Sequence, residues 1–344
     1  MIAKDKAPVF DEVIPEVIES AATPLARLHF AQQHHYAADT TPPNEYKQIY
    51  IDQQSTSLAV EAAISIVING IHYAVLMASP SQLGYLAIGF LFSEGLIQHS
   101  YELLDWEVTH LKDAASFAQF ATDAASPLDA NNPTDAQIFH QLAEHLLDYD
   151  VYVVELVLNQ RCHQRIQAQK RQLAGRTGCG MCGITGLTQA LPDLSPYQQN
   201  QPSKDASDKC IGKPTNRYPA PSLDELITIR AQVDAAQHTH RLTGAVHAAA
   251  TMQDSHLYLF EDVGRHNALD KLIGWQLRHK AEVHCVVMTS RLSIELVQKA
   301  VRMQLPWLVG TSAPTSTAVR VATRYGLGVA GFLRDNRVSY YSGV

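Results

Sequence analysis

The sequence predicts an α/β protein, with a mixed C-terminal sheet flanked by helices and a smaller α+β part before it. Three observations carry this. In the second half, strand-like stretches at 256–260, 283–289, 306–310 and 328–333 alternate with helical patterns at 267–279, 292–304 and 315–325, the rhythm of βαβ units. In the first half, the apolar runs Leu58–Ile68 and Ile71–Met77 are joined by Asn69-Gly70, the dipeptide that best suits a two-residue hairpin turn. Between the halves, residues 191–221 are rich in Pro, Ser, Asn, Gln and Lys and poor in large apolar groups, as a linker or long loop is.

With 344 residues, of which 46% are hydrophobic, the chain can bury one large core or two ordinary ones. The expected organisation is a flexible arm over 1–44, an N-terminal α+β part over 45–190, the linker at 191–221 and an α/β domain over 222–344. A net charge of −7 argues against a nucleic-acid-coating protein. The longest apolar region, near 58–78, is interrupted by Glu61, Asn69, Gly70 and His72, so no membrane span is expected. The first residues lack an uninterrupted apolar stretch and carry early acids; the expectation is a cytoplasmic protein.

In chain order, Ser79-Pro80-Ser81-Gln82 reads as a capping box opening a helix through Leu83, Leu86, Phe90 and Leu91, with Gly95 ending it. Residues 101–148, rich in Ala and Asp around Asn131-Asn132-Pro133, read as helix, loop, helix. Val151–Leu158 is a strand by its β-branched content, and Gln160–Leu173 reads as a helix leading to a glycine-rich loop. Asp335-Asn336 reads as a turn into a last short strand.

That loop carries the chemistry. Residues 175–187 contain Gly178-Cys179-Gly180-Met181-Cys182-Gly183. Each glycine costs roughly 0.5–1 kcal/mol of conformational entropy, which packing alone does not require; something large has to reach the sulfurs. Arg161, Arg165, Lys170, Arg171 and Arg176 lie upstream, and such positive charge favours the thiolate. The bland reading of those bases is a solvated helix face. Five cysteines, at 162, 179, 182, 210 and 285, are an odd number in a long chain, which disfavours a disulfide framework and leaves the pair catalytic or metal-binding. Three readings stand open: half of a zinc site completed by Cys162-His163, a dithiol redox pair, and a sulfur-handling site in which one thiolate accepts sulfane sulfur as a persulfide.

In α/β sheets, ligands sit beyond the carboxyl ends of the strands. Those positions hold Glu261 to Asn267, including Arg265 and His266; Ser290-Arg291; Thr311 to Pro314, including Ser312; and Arg334 to Arg337. Guanidinium groups and hydroxyls leading into helices suit an anionic, nucleotide-like ligand. Loops at strand ends are also polar for no other reason than exposure. His247, in the small apolar run Thr243–Ala249, is by itself more typical of a core histidine than a catalyst; His266, at a strand-to-helix turn, is the better acid, base or ligand contact.

Taken in order and spacing, RTGCGMCG, TGAVHAAA, FEDVGRHNALDKLIGWQLR, SRLSIELVQKA, TSAPTSTAV and GFLRDNR resemble the FdhD family of formate dehydrogenase accessory proteins, over most of residues 55–340. The resemblance implies a cytidine deaminase-like second half and a cytoplasmic, homodimeric sulfur carrier. Such a carrier takes persulfide sulfur from an IscS-type cysteine desulfurase. It passes that sulfur to the Mo-bis(molybdopterin guanine dinucleotide) cofactor before insertion into formate dehydrogenase. By motif matching, Cys179 bears the persulfide and Cys182 is its partner, while Phe332, Leu333, Arg334, Asp335, Asn336 and Arg337 match the family's cofactor-binding stretch. Arg265, His266, Arg291 and Ser312 are the further cofactor contacts expected from the strand ends. No permanent metal is expected. A zinc deaminase needs His-x-Glu followed by PCxxC, whereas His247-Ala248-Ala249 lacks the glutamate and the CxxC precedes it; that activity is rejected. The alternatives are a cofactor-binding chaperone without sulfur transfer and a zinc-binding module. The departures from the family are the long 1–44 arm, the enlarged 101–148 region and the polar 191–221 segment.

Overall fold

The computed structural model describes residues 25–36, 49–113, 149–162, 165–166, 192–197 and 218–344, together with 116, 117, 120, 137, 140 and 144. The Asn69-Gly70 signal is realised. Asn69 (φ 49°) and Gly70 (φ 75°) turn strand β3 (Ala62–Ile68) into β4 (Ile71–Ala78), both left-handed as the hairpin turn requires. The apolar run that begins at Leu58 is divided at Val60-Glu61, and its first part belongs to another strand, β2 (Ile49–Ala59). That strand pairs along its whole length with β1 (Ala26–Tyr36). Residues 26–36, read from sequence as part of a loosely attached arm, are therefore a strand of a two-stranded ribbon.

The hairpin is half of a four-stranded sheet ordered β4-β3-β6-β5, completed by β5 (Leu103–Leu111) and β6 (Asp150–Leu158). The strand expected at 151–158 is present. The helix expected at the start of 101–148 is instead β5, which pairs antiparallel with β6; its alternation of Leu104, Trp106 and Val108 with Asp105, Glu107 and Thr109 is a period of two, which strands obey and helices do not. Helix α1 (Leu83–Ser93) covers the other face. Its capping box is not formed: Gln82 is the cap residue, left-handed at φ 53°, with no side-chain cap.

The C-terminal sheet has six strands in the order β12-β11-β10-β9-β7-β8. They are β7 (His247–Gln253), β8 (His256–Asp262), β9 (Cys285–Met288), β10 (Trp307–Gly310), β11 (Gly328–Arg334) and β12 (Arg337–Ser342). Alternate residues of a strand face opposite sides, and β9 shows both: Val286 and Met288 enter the main core, Val287 the second one. The main core holds α4 (Arg265–His279), α5 (Ile294–Arg302) and α6 (Ser316–Tyr325). The second core holds α2 (Leu223–Ala236) through Leu226, Ile229 and Val233. Helix α2 starts at a capping box, with the Ser222 hydroxyl accepting from the Glu225 N–H. The short α3 (His238–Thr243) follows it.

The two sheets share one core, because α1 lies between the N-terminal sheet and α4. The crossing is glycine against backbone: a Cβ at Gly274 would sit 1.9 Å from the Tyr85 carbonyl oxygen, and one at Gly89 would sit 1.8 Å from that of Asp270. Gly274→Ala is expected to force the helices apart and cost about 1–3 kcal/mol, read as a lowered urea midpoint.

The polar residues of the turn after β8 hold the same junction. Asp262 and Lys271 are both fully buried and paired at 2.7 Å. The Ser79 N–H donates to Asp262 Oδ2 (3.1 Å), its hydroxyl accepts from the Val263 N–H (3.1 Å), and its carbonyl accepts from Lys271 Nζ (3.2 Å). Ser79, expected to cap α1, thus serves a contact 183 residues away in sequence. Asn267 Nδ2 donates to the Met77 carbonyl and to Asp262 Oδ1. No helix among the described residues is long and apolar enough to cross a membrane.

Candidate functional site

Strand β7 runs antiparallel to both β8 and β9, while β10 is parallel to β9 and to β11. It follows that β8, β9, β10 and β11 point the same way and deliver their carboxyl ends to one edge, as the sequence reading required of a ligand site. The edge is cross-tied. Thr289 N–H donates to the Ala248 carbonyl, and its hydroxyl accepts from the Ala248 N–H at 2.8 Å. Thr311 N–H donates to the Met288 carbonyl, and Leu292 bridges Pro314. Phe332 N–H donates to the Ser312 carbonyl, and Arg334 Nη1 to the Thr311 carbonyl at 2.7 Å.

The matched stretch 332–337 divides. Phe332 has φ 53° at an irregularity in the β11–β12 pairing, a strained conformation for a bulky residue, and it is exposed. Arg334, Asp335, Asn336 and Arg337 are exposed around the turn, as is Arg291 after β9. Leu333 is wholly buried in the second core, so its side chain cannot touch a ligand from the edge; its carbonyl accepts from Arg230 Nη1 (2.7 Å).

Arg265 and His266 open α4 at the same edge but face the N-terminus of α5. His266 Nε2 lies 4.0 Å from Glu295 Oε2, and among the described residues neither atom, nor Arg265 Nε, nor the Ser293 hydroxyl has a hydrogen-bond partner. Burial, then the Lys299 and Arg265 charges, push the imidazole down to about 4, so His266 is neutral at physiological pH. The unfolded chain takes up its proton near pH 6.5 and the folded chain only near 4. Stability therefore falls as pH drops through that window, by at most about 3 kcal/mol. Urea midpoints measured from pH 7 to pH 4 are expected to show this decline, and His266→Gln to flatten it. His247, at the start of β7, is likewise held low by burial and by Arg265.

On the α2 side of the edge lies a cavity of about 540 Å³. Arg230 and Asp234, four apart on α2, and Gln237, which caps its carboxyl end, line it with His247, Thr289 and Thr311. The sequence reading missed this helix entirely, although Ser222-x-x-Glu225 ahead of Leu226, Ile229 and Val233 marks its start.

Cys179 and Cys182 lie outside the described residues, as do Cys210, His163, Lys170, Arg171 and Arg176. Of the other cysteines, Cys162 is fully buried in the main core. Arg165 donates to its sulfur at 3.0 Å and also pairs with Glu102, while burial pushes the thiol up. That sulfur packs in the core against Arg165, and the residues that would complete the zinc reading, His163, Cys179 and Cys182, lie outside the described residues. Cys285 is partly buried, and burial pushes its thiol up to about 12. No cluster of three metal-ligating side chains occurs among the described residues.

Fold and site together define a mixed α/β protein with a polar, arginine-bearing strand edge. Residues 59–344 match the FdhD/NarQ family. The chain is 35% identical over 281 residues to the sulfur carrier protein FdhD of Chromobacterium violaceum, covering 80% of this chain and 85% of that one. It is 31% identical to that of Acinetobacter baylyi, covering 82% and 85%. The chain belongs to the FdhD/NarQ family. A crystal structure described as that of a proposed formate dehydrogenase accessory protein from Desulfotalea psychrophila shares the fold, with a TM-score of 0.56 at 17% identity over 93% of this chain and 97% of the other.

Proposed function

We infer that this protein is a sulfur carrier serving formate dehydrogenase. Cys179 takes sulfane sulfur from the persulfide of a cysteine desulfurase: its thiolate attacks the terminal sulfur, a new S–S bond forms on Cys179, and the donor cysteine leaves as thiolate. The S–S bond of the Cys179 persulfide then breaks with Cys179 leaving as thiolate, and the outer sulfur passes to the Mo-bis(molybdopterin guanine dinucleotide) cofactor, which supplies the electron pair of the new bond and is cargo here, not a resident group. Cys182 assists or protects the persulfide. The observation that carries this reading is the glycine-flanked pair Gly178-Cys179-Gly180-Met181-Cys182-Gly183 in a chain whose curated relatives are named sulfur carriers.

The residues present fit such a cargo. Arg291, Arg334 and Arg337 are exposed at one sheet edge, where guanidinium forks meet phosphate. We assign Arg265, Ser312 and the 332–337 turn to the same contact, Leu333 through its backbone alone. His266, more enclosed, sits behind them. The functional unit is taken to be a homodimer in the cytoplasm. The test is the ligand copurified from a host that makes the cofactor: a molybdenum and guanine nucleotide species is expected, and its absence from sulfur-competent protein would count against the cofactor as recipient. A chaperone that only grips the cofactor would carry the same ligand yet take up no sulfur from the desulfurase.

A further inference from the structure

We propose that the β1–β2 ribbon is the surface on which two copies of this chain meet, packed face to face about a two-fold axis that crosses the strands at the Gln32–Gln53 pair. The proposal rests on the homodimer reading and adds to it the surface that forms the dimer. Apart from Ala59, the ribbon lies ahead of residues 59–344, which match the family. Its antiparallel pairing runs from Ala26 opposite Ala59 to Tyr36 opposite Ile49, and no further described strand joins it. Two strands alone are marginal in water; a third strand, an apolar face or a helix has to support them. Within the protomer the Val60 N–H donates to the Leu25 carbonyl, Arg27 pairs with Asp150 at 2.8 Å, and α3 packs against both strands. Residues 27–30 and 32–34 of β1 and 51–55 of β2 nonetheless remain exposed.

Register partners share a face of the ribbon, and alternate residues of a strand take opposite faces. One face therefore carries Leu28, Phe30 and Ile51 around the central Gln32–Gln53 pair. Leu28, 80% exposed, and Phe30, 83%, are the most exposed large apolar side chains among the described residues, and Ile51 is 58% exposed. Apolar groups so grouped on one exposed face mark an interaction site. The charged residues of these stretches, Arg27 and Asp52, fall on the opposite face. An acidic or basic partner would find nothing there to pair with, whereas a second copy meets no like charge. The order of residues suits a copy as well. A two-fold interface sets a patch against itself, and here it reverses the strand direction about Gln32 and Gln53. The Phe30–Ser55 pair of each copy then lies on the His34–Ile51 pair of the other, so that Phe30 is covered and amide meets amide at the centre.

Sedimentation equilibrium of the full-length protein, of Phe30→Glu and of Phe30→Glu combined with His34→Lys is the test. The wild type should be a dimer at micromolar concentration. Phe30→Glu should raise the dimer dissociation constant by about a hundredfold or more, since each dimer carries the change twice. Adding His34→Lys should recover about tenfold of that loss or more, because residue 30 of each copy lies over residue 34 of the other and the new charges are opposite. Within one protomer the two positions are separated by roughly 13 Å of strand, too far to pair. Sulfur loading of the cysteine loop should be unchanged in both variants, which also shows that they are folded. A dimer undiminished in Phe30→Glu would overturn the assignment and leave the homodimer reading standing. A monomeric wild type would overturn both, and no recovery in the double variant would overturn the two-fold register.

Discussion

Cys179→Ala is expected to yield a folded protein that takes up no sulfur from a cysteine desulfurase and supports no formate dehydrogenase maturation. The effect is large because Cys179 is the residue assigned to carry the persulfide. Among the other described cysteines, Cys162 is buried and Cys285 partly so, and burial raises both thiols, which lowers the thiolate fraction that could attack. Stability is expected to be unchanged, since the substitution removes a single sulfur at a position flanked by Gly178 and Gly180. Thermal unfolding separates the two outcomes: an unaltered transition with no activity supports the account, and full maturation activity in the variant refutes it. Cys182→Ala, assayed alongside, shows whether the second thiol is obligatory.

The second large effect concerns the junction of the two sheets. Lys271→Met is expected to destabilise the protein by about 3–5 kcal/mol, because it leaves Asp262 charged, fully buried and without its ammonium partner. It also removes the donor on the Ser79 and Glu261 carbonyls. The double variant Asp262→Asn with Lys271→Met should lose markedly less than the single one, since no unpaired charge remains. Urea midpoints decide the matter; a single variant within about 1 kcal/mol of wild type would mean that the pair contributes no more than a surface ion pair. Through Ser79 and Asn267 this strut fixes the start of α4, and with it one end of the ligand edge.

What was legible in the sequence was whatever is decided locally. Asn69-Gly70 fixes its own left-handed turn, and β8 to β11 announced themselves through apolar runs punctuated by polar loops, so the strand edge and its arginines could be named in advance. The failures came where distant partners decide. Ser79 and Ser81 looked like a local cap, but the hydroxyl and carbonyl groups there are claimed by Val263 and Lys271 from across the core. Asp262 and Asn267, in the stretch read as a ligand-facing loop, are buried struts, held with Lys271. Leu103–Leu111 was read as helix because the Ala- and Asp-rich stretch after it drowned a nine-residue alternation. Nothing in the spacing of Arg230, Asp234 and Gln237 sets them apart from a solvated helix face; only the packing of α2 against β7, β8 and β11 does so.

The measurement that bears most directly on the account is the mass of the loop peptide containing Cys179 and Cys182 after incubation with cysteine and a desulfurase. The account predicts one added sulfur atom, absent in Cys179→Ala and removed by mild reduction. A peptide that stays at its unmodified mass, while the protein still supports formate dehydrogenase maturation, would contradict it.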